Sequence, residues 1–172
     1  MYANILAELA TDQHTAERVA AQGVMWYASH GYFSGNSGKA ASTLLRLWRT
    51  RHAYIISASI DGELKGAMVA SKALSHYGEP ILQQIHVTAW CETPMAQVRV
   101  LQALHVEMRR VAGRLGCVEC VSCSALDTAT QFQRMLLKIG WERVAPRSLA
   151  SRAPASPSTV RLGARQRPRP AV

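Results

Sequence analysis

Apolar and polar positions change their period several times along this chain, and each change marks an element. Tyr2–Leu6 reads as a short strand. Ala16, Val19, Ala20, Val24 and Tyr27 then recur at helical spacing after Thr11, a good N-cap, with Asp12 in the first turn. This helix ends near His30 and Gly31, where GYFSGNSG has the composition of a loop. A second helix covers about Lys39–Arg49, with Leu44, Leu45, Leu47 and Trp48 as its buried stripe.

The period then drops to two. Tyr54–Ile60 and Leu64–Ala70 are strands joined by the hairpin dipeptide Asp61-Gly62. Ser75–Glu79 is a further turn, and Ile81–Trp90 is long enough for a central strand. Thr93 and Pro94 open a long helix, since proline in the first turn gives up an N–H that has no intrahelical partner. Val98, Leu101, Ala103, Leu104, Met108, Val111 and Leu115 form its expected inward face, and Gly116 ends it. Cys117–Cys123 is a strand, Phe132, Met135, Leu136 and Ile139 lie on another helix ending at Gly140, and Trp141–Val144 is a last core strand. This order predicts a mixed α/β sheet covered by helices, with a right-handed parallel crossover from Ile81 to Cys123. Ligands in such sheets sit at the carboxyl ends of strands, which here means Trp90–Arg99.

Composition narrows the picture. A chain of 172 residues, 48% apolar, supports one core and one domain. The formal charge of +9 is unevenly placed: all 11 acids precede Pro146 together with 14 of the 20 basic residues, which leaves the body at +3. Six arginines (Arg147, Arg152, Arg161, Arg165, Arg167, Arg169) occupy a proline-rich stretch with no acid. The expected division is therefore a domain over residues 1–146 and an extended basic C-terminal arm over 147–172, with STVRL at 158–162 available as a final strand. No segment has the roughly 20 apolar residues of a membrane span, and the start lacks a signal-peptide pattern, so the expected location is the cytoplasm.

The order of elements resembles the GNAT superfamily of acyl-CoA-dependent N-acyltransferases over most of Met1–Val144, with IHVTAWCETPMAQVRVLQAL and TQFQRMLLKIGW as the closest local matches. The resemblance implies acetyl-CoA as cofactor, with the strand backbone at Val87, Thr88 and Ala89 and the helix start at Gln97, Val98, Arg99, Val100 and Leu101 as its binding residues. It also marks two departures. The family's diphosphate loop is Arg/Gln-x-x-Gly-x-Gly/Ala, because glycine lets phosphate approach backbone N–H groups at a helix N-terminus, and valine and leucine stand here instead. The family's thiolate-protonating tyrosine falls on Leu136, which has no proton to give.

Two functions follow. In one, an acetyltransferase holds the phosphates through Arg99 and uses His86, or Glu92 through water, as its base, with Tyr32 and His76 lining the acceptor side. In the other, the fold is a catalytically inactive structural or assembly protein, for example a virion component of a tailed phage, with a protein partner engaging the C-terminal arm. Arg165, Arg167 and Arg169 could also bind nucleic acid through charge. No metal is expected: alternation would point Cys117 and Cys120 to opposite faces of a strand, so these read as structural thiols. His86 reads as a core histidine or a base, and His105 as covering a helix face.

Overall fold

Short-range chemistry fixes where most elements begin. Asp12, rather than Thr11, caps the first helix by accepting from the Thr15 N–H at 2.8 Å. Asn36 does the same for the second through the Lys39 N–H at 2.9 Å. Asp61 and Gly62 turn the hairpin with φ of 50° and 85°, the left-handed pair such a tight turn demands. The computed structural model describes residues 4–30, 35–124, 129–144 and 160–165.

The elements are β1 (Ile5–Leu9), α1 (Gln13–Ser29), α2 (Ser37–Arg49), β2 (Tyr54–Ile60), β3 (Glu63–Leu74), β4 (Pro80–Ala89), α3 (Pro94–Arg114), β5 (Glu119–Ser124), α4 (Ala129–Lys138), β6 (Glu142–Val144) and β7 (Val160–Arg165). The strands form one sheet in the order β1-β2-β3-β4-β5-β7-β6. β4 and β5 run parallel and the other neighbours antiparallel. This is the mixed, helix-covered sheet that the element order predicts.

Two apolar clusters cover its faces. On one, Val100, Leu104, Met108, Val111 and Ala112 of α3 pack against Ile56, Met68, Leu82 and Ala89, joined by Leu136 and Trp141. On the other, Ala16 and Val19 of α1 with Leu44, Leu45 and Trp48 of α2 meet Ile55, Leu64 and Ala67. The phase of α3 corrects the expected inward face: Val98 points outward at 39% exposed, while Val100 is fully buried. Leu47 likewise belongs to the wet side of α2.

Cys117 precedes β5 instead of starting it, and it joins Cys120 in the same cluster. The expected opposite orientation is thus wrong, because strand alternation does not yet apply at Cys117. Burial pushes the Cys120 thiol up to about 12. Among the described residues no group of three or more His, Cys, Asp or Glu is arranged to hold a metal, and no helix is long and apolar enough to cross a membrane.

The expected final strand near 158–162 is β7, which extends to Arg165 and lies inside the sheet between β5 and β6. Arg165 is therefore a strand residue placed opposite Glu119, not part of a free arm. Arg167 and Arg169 lie outside the described residues.

Candidate active site

β4 and β5 pair at Ile81 with Glu119, Leu82 with Cys120 and Gln83 with Val121, and there the ladder stops. Both strands continue. β4 runs on to Ala89 against β3, and β5 to Ser124 against β7. The facing edges beyond Gln83 and Val121 therefore part, leaving a cleft that opens at the carboxyl ends of the two strands, where open α/β sheets bind ligands.

A bulge accompanies the parting. Val69 is opposite His86 and Ala70 opposite Gln84, so Ile85 is an extra residue in β4. Such a bulge bends a strand and re-aims the side chains after it. Before it Leu82 faces α3, and after it Val87 and Ala89 do, which turns His86 towards α1.

There His86 meets Tyr27 edge to face, with ring centroids 5.4 Å apart, and the Tyr27 hydroxyl donates to the Val87 carbonyl at 3.1 Å. His86 keeps an exposed surface, yet desolvation of its ring lowers its pKa below the usual histidine value. Its environment is that of a neutral imidazole at the rim of the cleft, not a core residue. Tyr27 was not marked as a site residue by the sequence, where its helical spacing speaks only for packing. Beyond the strand end a groove of about 530 Å³ lies between Arg18, Gln22 and Trp26 of α1 and Glu63, Leu64 and Trp90.

The cofactor-side residues divide sharply. Val87 is half-buried, Thr88 is 5% exposed, and its hydroxyl finds no hydrogen-bond partner among the described residues. The Ala89 carbonyl accepts from the Gln97 side chain at 3.1 Å, which ties the first turns of α3 to the end of β4. Val98 and Arg99 are exposed, Leu101 is half-buried, and the Val100 side chain points into the core. Val100 can meet a ligand through its backbone alone.

The N-terminus of α3 is already partly filled. Pro94 has no N–H, the Ala96 N–H is bonded to Thr93 Oγ1 at 3.2 Å, and the Gln97 N–H to the Thr93 carbonyl at 3.0 Å. Among these first helical positions the Met95 N–H is the donor left for an anion. Leu136, at the position of the family's phenol, is fully buried, and its carbonyl accepts the Trp141 N–H at 3.1 Å.

Glu92 is exposed past the end of β4, near Lys65, whose pKa is raised first by its hydrogen bond to Glu63 and further by Glu92. His76 is not brought to the cleft. It sits in the β3–β4 turn, and the run of β4 from Pro80 to His86 puts it at the opposite end of the strand, about 20 Å away at ~3.3 Å per residue. Tyr32 lies outside the described residues.

His105 reverses its expected role. It is fully buried, with Nδ1 2.7 Å from the Leu101 carbonyl and Nε2 3.0 Å from Gln84 and 3.3 Å from Ser122. Burial lowers its pKa to about 4. Neither Gln84 nor Ser122 carries a sequence signal of this, since their meeting depends on the register of β4 against β5.

No family model matches the sequence, and no curated protein matches it. Solved structures do. An aminoglycoside 6'-acetyltransferase type Ii shares 12% identity at a TM-score of 0.66, covering 96% of this chain and 99% of that one. The PaiA N-acetyltransferase from Thermoplasma acidophilum, solved with coenzyme A, shares 15% at 0.56, covering 96% and 100%. A structure from Desulfovibrio desulfuricans assigned to the GNAT family shares 14% at 0.59, covering 95% and 98%. With the parted parallel strands, the bulge in β4 and the helix that begins at their open end, this chain has the GNAT fold.

Proposed function

We propose that this protein is an acyl-CoA-dependent N-acyltransferase whose hold on the cofactor diphosphate differs from that of the glycine-loop enzymes it resembles. The parting of β4 from β5 after Gln83 and Val121 carries this reading. The edge of β4 over Gln84–Ala89, released from β5, presents its backbone to the amide groups of a pantetheine arm as a strand edge does to a peptide, with the Val87 and Ala89 carbonyls also held by Tyr27 and Gln97.

In this reading His86 takes the proton from the acceptor ammonium, and its lowered pKa keeps it unprotonated for that task near neutral pH. The freed amine attacks the thioester carbonyl, the C–N bond forms as the C–S bond breaks, and the CoA thiolate leaves. With Leu136 in place of a phenol, the thiolate takes its proton from water, and the hydroxide so formed removes the second proton that the nitrogen loses in becoming an amide. Arg99, exposed on the second turn of α3, supplies charge for the phosphates where the capped helix start offers few N–H groups.

A second reading, a GNAT-fold scaffold without turnover, draws support from the same capped helix start and from the buried Leu136. Calorimetry separates the two. Binding of acetyl-CoA at micromolar to submillimolar concentration supports the enzyme, and absence of binding at millimolar ligand leaves the scaffold.

A further inference from the structure

The residues that follow the last backbone pair of β4 and β5 are Gln84 and Ser122, both buried on the α3 side. Their side chains meet at 2.6 Å, so side-chain contact takes over at the step where backbone pairing ends. His105 of α3 drops onto the pair, 3.0 Å from the Gln84 amide and 3.3 Å from the Ser122 hydroxyl, and Trp141 packs edge-on to its ring at 5.4 Å.

The protons of this cluster can be assigned. A carbonyl oxygen only accepts, so His105 Nδ1 carries the hydrogen it gives to Leu101 at 2.7 Å. The Ser122 hydroxyl donates to the Gln84 amide oxygen at 2.6 Å, the spacing of an O–H donor, and His105 Nε2 lies within 3.3 Å of both side chains.

We propose that Gln84, Ser122 and His105 are a positioning cluster that fixes where β4 and β5 part. A neutral, hydrogen-bonded cluster is costly to rearrange in a buried site, because any shift leaves a polar atom unpaired. The cluster therefore holds the root of the cleft at one opening. Its consequence for cofactor binding rests on the acyltransferase reading above, whereas its effect on the strands does not.

The test uses the full-length protein at neutral pH. Nitrogen NMR of His105 should show Nδ1 protonated, as its bond to Leu101 requires, and a bare Nδ1 overturns the cluster as described. Gln84→Met and the milder Ser122→Ala are then compared with Met108→Ala, a cavity variant in the same core, at a temperature where all are folded. Acetyl-CoA Kd should rise roughly tenfold in the first two and stay near wild type in Met108→Ala. Equal Kd changes in all three overturn the positioning role. If wild-type protein binds no acetyl-CoA, the acyltransferase reading fails, and amide exchange at Val87–Ala89 and Ser122–Ser124 decides the cluster. Faster exchange in Gln84→Met and Ser122→Ala alone supports it, and equal exchange in all three overturns it.

Discussion

Val100 lies over Gly66 of β3 so closely that a Cβ added at Gly66 would overlap the Val100 side chain and meet the Thr88 carbonyl at 3.0 Å. The valine that stands where the resembled loop has glycine is thus matched by a glycine on the strand beneath it. Gly66→Ala should lower stability by about 1–3 kcal/mol through overpacking, read as a fall in the urea midpoint. Adding Val100→Ala should recover part of the loss, because the two positions share one space. A double variant no more stable than Gly66→Ala would refute the coupling.

Acid should weaken the fold through His105. The unfolded chain takes up a proton near pH 6.5, and the folded chain resists until about 4. Stability from this group is complete above pH 6.5, declines as pH falls through the window, and levels off below 4, for a total of about 3 kcal/mol. Urea melts at pH 7 and 4.5 should show a smaller difference in His105→Gln than in wild type. Equal differences would show that His105 does not titrate in this way.

If the protein transfers acyl groups, His86 and Arg99 should separate in kinetics. His86→Ala should reduce kcat by roughly 10²–10⁴-fold, and the acid limb of the wild-type rate profile should lie below the ordinary histidine pKa, as its desolvation requires. An acid limb that survives in His86→Ala would assign it to another group. Arg99→Ala should raise the Kd for acetyl-CoA about tenfold through loss of one charge-assisted contact, with a weaker salt dependence. Unchanged affinity would remove Arg99 from the phosphate site.

Truncation should be abrupt. Ending the chain at Arg165 leaves the seven described strands, whereas ending it at Ala150 removes β7 from between β5 and β6. The shorter cut should cost little on thermal unfolding, and the longer one should abolish the cooperative transition. A cooperative melt after the longer cut would mean that β5 and β6 do not depend on β7. The longer deletion therefore cannot test a binding arm, because it tests the sheet.

The element order was legible because period changes and turn residues are local. The phase of α3 was not: with valines at both 98 and 100, the choice of inward residue falls to Gly66, more than thirty positions earlier. The bulge at Ile85 has no glycine or proline to announce it, and it reverses which residues of β4 face α1. That is why His86, expected as a core histidine or a base, lies at the rim, whereas the phase of α3 puts His105, expected to cover a helix face, in the core. The cleft could be placed on the chain, but its root, Gln84 with Ser122, emerges only once two strands are set in register.

The strand order has a consequence for how the molecule is made. Among the described residues the strand partners of β6 all belong to β7, which follows it in the chain. β5 also waits on it along one whole edge. Pairings between segments so far apart in sequence form slowly. During synthesis an incomplete sheet, with its cleft strand β5 open on one side, must persist until β7 has been made, and this interval is when the chain is most exposed to proteases and to pairing with other chains.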